Sequence, residues 1–298
     1  MSNDKDTGRS YHLACTGEAL ATAQAHTSPE HITLFGSCFC PFVQRVWVTL
    51  EHLGIDYMYC MSTSEVDPYK KPAELLELSP KGLVPALRLD NFDPPRALNE
   101  STIIIDFLEE LATSDTRRSS HTTESLFPAS SDPSLADLVP STYLDARALI
   151  RLQADSVNRS LIPAFYRYLQ AQDEPKQVEG AKGFVEALES LVTLFRRAER
   201  EGCTQYGLWH ERGSLSYADV MAAPWLFRAT NVLKHYRGFV LPEGEQFRAY
   251  VGRVLGHPAV KRTCSTEQLY LDSYERYAFN RPNTSQVANA VNAGTALP

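Results

Sequence analysis

Apolar side chains fall in short blocks through the first third of the chain and at helical spacing through the remainder. Residues 31–35 form an apolar run that predicts a strand. Phe42, Val43, Val46, Trp47, Leu50 and Leu53 then recur every three or four positions, the mark of an amphipathic helix, and Gly54 stops it. Residues 56–62 read as a second strand, and residues 71–78 as a short helix with Pro72 near its start. Ala86–Leu89 and Arg96–Asn99 flank a turn at residues 90–95 and predict an antiparallel pair. Ser101 caps a helix that carries Ile104, Ile105, Leu108 and Leu111. The order β-α-β-α-β-β-α gathers four strands into one sheet with helices across it.

Beyond residue 134 the period is helical and strand signals are few. Helices are expected over 135–170, broken near Pro163, and over 175–201, 216–235 and 244–255. Ser216-Tyr217-Ala218-Asp219 is a capping box with Asp in place of the commoner Glu, opening a helix with Val220, Met221, Ala223, Leu226 and Phe227. The chain therefore divides into a flexible arm at 1–30, an α/β domain at 31–112, a polar linker at 113–134, an all-α domain at 135–280, and a frayed tail at 281–298. No internal repeat is visible.

At 298 residues, two domains are the natural expectation. The net charge of −7 leaves no basic field to neutralise phosphates, so nucleic acid is excluded as a main partner. No apolar run approaches the roughly 20 residues that span a bilayer, and the polar first 30 residues lack a signal-peptide core. A cytoplasmic protein without membrane association is expected. Six cysteines in such a chain are not a disulfide scaffold, and no second Cys/His cluster has metal-ligand spacing, so no metal is expected.

One cysteine stands apart by its position. Cys40 falls at the turn from the first strand into the first helix, with Pro41 in the first helical position, where its missing N–H costs nothing. A thiol there faces unpaired backbone amides and the positive end of the helix dipole, which favour thiolate. Cys40 is therefore the candidate reactive cysteine. Cys60 lies in an apolar run and reads as a core residue. Cys38 reads either as a loop residue or as a resolving thiol.

A cysteine at a strand-to-helix turn, in a β-α-β-α-β-β-α domain followed by an all-α domain, resembles the cytosolic glutathione transferases. The stretch Cys40-Pro41-Phe42-Val43-Gln44-Arg45-Val46-Trp47 is similar to the omega and lambda classes, which carry cysteine where other classes carry serine or tyrosine. Lys71-Pro72, Gly82-Leu83-Val84-Pro85-Ala86-Leu87, Glu100-Ser101 and the Ser216–Asp219 box follow in the family's order, so the resemblance spans about residues 31–270. It implies a thioredoxin-like N-terminal domain with an all-α C-terminal domain, glutathione as cosubstrate and assembly as a homodimer. It implies a cis Val84-Pro85 peptide whose Val84 pairs with the cysteinyl backbone of glutathione. Lys71 then meets the glycine carboxylate, Glu100 and Ser101 hold the γ-glutamyl end, and Phe42 joins the glutathione-binding set. Tyr143, Arg147 and Tyr166 on the first long helix of the second domain, and Trp225, are candidates for the acceptor pocket, although an aromatic at helical spacing equally serves a core. The linker is longer than the family needs. The N-terminal arm resembles an extension that some omega-class members fold against the second domain.

The resemblance implies thiol transfer, dehydroascorbate reduction and removal of glutathione from conjugates, with Cys40 as nucleophile and a hydrophobic or disulfide small molecule as second substrate. A conjugating or isomerising transferase, in which Cys40 only positions glutathione, is the first alternative. A non-catalytic ligand-binding module is the second.

Overall fold

The computed structural model describes residues 12–60, 73–114, 125–127, 140–203 and 206–298, apart from the side chains of 114 and 140–144. The chain forms two compact units, Met1–His121 with Lys261–Ser285, and Thr122–Val260 with Gln286–Pro298. The expected boundary within 113–134 thus accounts for one crossing between units, and the chain makes two more near residues 260 and 285.

In the first unit, β1 (Ile32–Phe35) leads into α2 (Pro41–Leu53), then β2 (Met58–Tyr59), α3 (Ala73–Leu78), β3 (Ala86–Leu89), β4 (Arg96–Asn99) and α4 (Ser101–Ser114). The sheet order is β2-β1-β3-β4. β1 runs parallel to β2 and antiparallel to β3, with Leu34 opposite Leu87 and Phe35 opposite Ala86. Central strand β1 is buried on both faces, which is why it reads as a continuous apolar run rather than an alternation. The apolar stripe of α2 packs against α4, with Val46, Trp47, Leu50, Ile104, Ile105 and Leu108 all buried. Each such side chain contributes roughly 1.5–3 kcal/mol of transfer free energy. Gly54 closes α2 in the left-handed conformation (φ 62°), a helix-ending role that suits glycine.

The arm and the tail differ from expectation. Residues 17–25 form a helix, α1 (Gly17–Ala25), with Ala19 and Ala23 buried. Its small side chains allow close approach to the returning segment 261–266. Thr22 Oγ1 donates to the Arg262 carbonyl (2.8 Å), the Ala19 amide to the Cys264 carbonyl (3.2 Å), and the Thr16 amide to Ser265 Oγ (3.2 Å). A buried polar network fixes the end of α1. The His26 ring stacks on Tyr57 at 4.0 Å and pairs with Glu51 at 3.2 Å. Tyr57 donates to Glu51 (2.8 Å) and accepts from Trp47 Nε1 (2.5 Å). Burial lowers the basicity of His26, but its hydrogen bond to Glu51, the Glu51 charge and the Tyr57 carbonyl outweigh burial and raise its pKa. Burial raises the Glu51 carboxyl, yet His26, Tyr57 and Arg262 together hold it below the usual range. Burial keeps the Tyr57 hydroxyl protonated, and hence a donor.

The second unit is helical: α5 (Pro140–Ser156), α6 (Ile162–Gln170), α7 (Glu174–Arg200), α8 (Tyr217–Arg228), α9 (Lys234–Arg237), α10 (Glu245–Gly256) and α11 (Pro258–Arg262), whose last residues pass into the first unit. The break expected at Pro163 is a π-turn at Val157–Leu161 that delivers the chain into α6 without ending it. The wider turn frees the register where proline has no N–H to donate. A second π-turn, Ala229–Leu233, follows α8. The capping box at the start of α8 forms as expected. Asp219, fully buried, accepts from the Ser216 amide (2.9 Å), Ser216 Oγ (2.8 Å) and the Leu208 amide (2.9 Å) through Oδ2. Burial nevertheless raises its pKa against the pull of those donors.

The chain then adds α12 (Glu267–Ala278) to the first unit and α13 (Gln286–Ala293) to the second. The expected frayed tail at 281–298 is therefore in part a helix. Gln170, buried on α6, donates to the Ala288 carbonyl (3.3 Å) and Asn292 Oδ1 (3.2 Å), which ties α13 down. The tail's small polar residues mask this from a periodicity reading.

Candidate functional site

Cys40 is the N-cap of α2, with extended backbone (φ −74°, ψ 120°) and Pro41 behind it. Its amide donates to the Ser37 carbonyl (3.0 Å), and its carbonyl accepts from Gln44 (3.1 Å), so the turn is closed on both sides. Val43 and Tyr59 can pack against the start of this turn because position 36 is glycine. A Cβ there would lie 2.6 Å from Val43 Cγ1 and 3.1 Å from the Tyr59 hydroxyl. The half-buried Cys40 thiol makes no capping hydrogen bond to α2, but its place at the helix N-terminus puts it at the positive end of the dipole, which favours negative charge.

The expected cis peptide at Val84-Pro85 is present. It brings Val84 to the thiol: Cys40 Sγ lies 3.9 Å from the Val84 carbonyl oxygen, toward which the S–H points. The loop before Val84 is held by Ser79, whose hydroxyl accepts from the Leu83 amide (3.1 Å) and whose carbonyl accepts from Gly82 (2.6 Å). Val84 is half-buried and packs on the cluster of Phe35, Cys60, Leu75 and Ala86, which bears out Cys60 as a core residue.

Glu100 and Ser101 sit where β4 passes into α4. Glu100 takes a left-handed backbone (φ 70°), uncommon for a residue with a side chain. Its carbonyl accepts from Ile104 (2.9 Å), and Ser101 is buried in the first helical position. An exposed carboxylate and a helix N-terminus thus meet at a strained residue, a combination that points to function. Phe42, half-buried in the first turn of α2, lies beneath the Arg45 guanidinium at 5.5 Å. Arg45 itself is a buried structural residue of that helix, as its position predicts.

Lys71 and Pro72 lie outside the described residues, as does the side chain of Tyr143. The remaining acceptor-pocket candidates belong to the second unit. Trp225 is fully buried and Tyr166 is 2% exposed. Their helical spacing fits a core and a pocket wall equally well. Arg147 is half-buried, with its guanidinium over the Phe127 ring at 4.7 Å.

Three contributions to the Cys40 turn escape a local reading. Tyr274 of α12 donates to the Phe39 carbonyl (3.4 Å), the peptide that precedes Cys40. Gln44, buried on α2, donates to the Thr263 carbonyl (3.4 Å) and to Cys264 Sγ (3.3 Å). Cys38 is 5% exposed, and its thiol donates to the His12 carbonyl (3.4 Å) beneath the arm. These pairs are separated by 26 to 235 residues, so no spacing rule could have found them. Among the described residues, no group of His, Cys, Asp and Glu is arranged to hold a metal ion, and no helix is long and apolar enough to cross a membrane.

A thiol at a helix N-terminus beside a cis X–Pro peptide, on a four-stranded mixed sheet followed by a helical region, defines a thioredoxin-like protein with an appended α-domain. The model of the glutathione S-transferase N-terminal domain matches residues 39–111. The crystal structure of glutathione transferase Omega 3C from Trametes versicolor is 32% identical, covering 89% of this chain and 98% of that one, with a TM-score of 0.67. The chain belongs to the glutathione transferase family. Glutathione S-transferase DHAR2 of Arabidopsis thaliana is 25% identical over 79% of this chain and 89% of that protein. The dehydroascorbate reductase of Chlamydomonas reinhardtii shares the fold at 22% identity, covering 84% of this chain and 100% of that one, with a TM-score of 0.56. This protein is accordingly a glutathione-dependent enzyme similar to the omega class and the dehydroascorbate reductases.

Proposed function

We propose that the protein is a thioltransferase in which Cys40 is the nucleophile. The Cys40 thiolate attacks the glutathionyl sulfur of a mixed disulfide. The S–S bond breaks, the partner thiol leaves with the electron pair and takes a proton, and a Cys40–glutathione disulfide remains. A second glutathione, as thiolate, attacks that disulfide and releases glutathione disulfide and free Cys40. One glutathionylated substrate and one glutathione thus give one free thiol and one glutathione disulfide.

The observation that carries this reading is the 3.9 Å approach of Cys40 Sγ to the Val84 carbonyl at the cis Val84-Pro85 peptide. A peptide thiol laid along Val84 like an added strand brings its sulfur to Cys40. Glu100 and Ser101 would receive the γ-glutamyl end, Lys71 the glycine carboxylate, and Phe42 would flank the thiol. A serine at position 40 could hold glutathione by a hydrogen bond, but it could not form a disulfide. All six cysteines remain thiols, which fits a reducing compartment, and a cytoplasmic homodimer accompanies this reading.

The test is glutathione-dependent reduction of a small mixed disulfide by the native protein and by Cys40→Ser and Cys38→Ser. Activity should fall to background in Cys40→Ser and persist in Cys38→Ser. Loss in both variants would replace the monothiol route with a dithiol one. A native protein inactive on the disulfide but able to conjugate glutathione to an aryl halide would overturn the proposal.

A further inference from the structure

The sheet has two ends, and the catalytic turn occupies one. β1 runs from Ile32 to Phe35 toward Cys40, so its start lies about 13 Å away along four residues of strand. A cavity of about 500 Å³ opens at that far end, with walls drawn wholly from the first unit. Its volume is that of a small-molecule site, in the range of about 300–1,000 Å³. Leu53 and Leu89 form the buried floor, while the half-buried Phe92, Phe107 and Leu111 form apolar walls.

The charges around the cavity are unevenly distributed. Glu30 and Asp56 stand exposed at its edge. Two helices end there: Leu53 and Gly54 close α2, and Leu111 and Ala112 lie in the last turn of α4. Each helix end presents the negative pole of its dipole. Against two carboxylates and two carbonyl ends stands one guanidinium, Arg96, which already lies over the Phe92 ring at 3.9 Å. The His31 ring completes the rim.

We propose that this cavity binds a small apolar amine, one or two rings carrying a single ammonium. The rings fill the space between Phe92, Phe107 and Leu111, and the ammonium faces Asp56, Glu30 and the carbonyl ends of the helices. Glutathione does not match it, because its two carboxylates would meet the acidic rim. The site is therefore independent of the catalytic turn and of the reaction proposed there.

The experiment is calorimetric titration of the full-length protein with 1-naphthylmethylamine and, at equal size and opposite charge, 1-naphthoate. The amine should bind saturably with one site per chain, unaffected by saturating S-hexylglutathione and by Cys40→Ser. The double variant Glu30→Gln, Asp56→Asn should weaken it by about fivefold, the combined weight of two exposed ion pairs. Leu111→Arg, which places a cation at the wall, should abolish it. Disulfide-reducing activity and melting temperature, measured alongside, report that both variants are folded. No saturable binding of the amine, naphthoate binding as tightly as the amine, displacement by S-hexylglutathione, or native affinity in the folded variants would each overturn the proposal.

Discussion

Glu100 carries a left-handed backbone angle, a conformation that costs a residue with a Cβ about 1–3 kcal/mol. Its side chain is exposed, so the core gives no reason for glutamate at this position. Replacement by glycine and by alanine separates the two roles. Glu100→Gly should be more stable than Glu100→Ala by about 1 kcal/mol, since only glycine relieves the angle. Both variants should bind glutathione several-fold more weakly than the native protein, having lost the same carboxylate. Urea denaturation together with glutathione titration checks this, and equal stability of the two variants would reject the strain. Residues of this kind are legible in sequence because their signals are local: Cys40 before proline, Val84 before proline, Glu100 before a serine that opens a helix. Tyr274 and Gln44 act on the same turn across more than 200 residues, where a sequence offers no spacing to read.

The helices and strands of the first unit follow their apolar periods, and the strand order follows from short connections. Residues 17–25 escape the same reading because their buried positions are alanines, whose small surface gives no strong period. What holds this helix is a polar network, and the network titrates. The pKa of His26 is raised above its ordinary 6.5, so its stabilising contribution is complete below that pH and is lost as pH rises through the folded value. The pKa of Glu51 is lowered beneath its ordinary 4.5, so its contribution is complete above that pH and is lost as pH falls through the folded value. Between 4.5 and 6.5 both contributions are present in full. Amide protection of α1 should therefore peak in that window and fall several-fold toward pH 8. Hydrogen exchange across this range tests it, with His26→Ala expected to remove the alkaline fall. A native profile that is flat with pH would rule the network out as the clamp.

Two units were foreseeable from chain length and from the change of period near residue 113, but their composition was not. Segments 261–285 and 286–298 belong to different units although they adjoin in sequence, because each is fixed by distant partners. Removal of 286–298 should therefore act on the helical unit, where buried Gln170 would lose the Ala288 carbonyl and Asn292 as acceptors. The expected cost is about 1–3 kcal/mol. It should appear as a lower urea midpoint with unchanged alkylation of Cys40, and an undiminished midpoint would count against it. The same interleaving governs how the protein is made. Translation delivers the strands, α1 and Cys40 early, but Arg262, Cys264 and Tyr274, which complete their surroundings, leave the ribosome only after the whole stretch 122–260. The nascent thioredoxin-like half must wait, unfinished and with its thiol turn unsupported, until the helical half has been synthesised, so emergence of segment 261–285, rather than of the first domain, sets when a working site can first form.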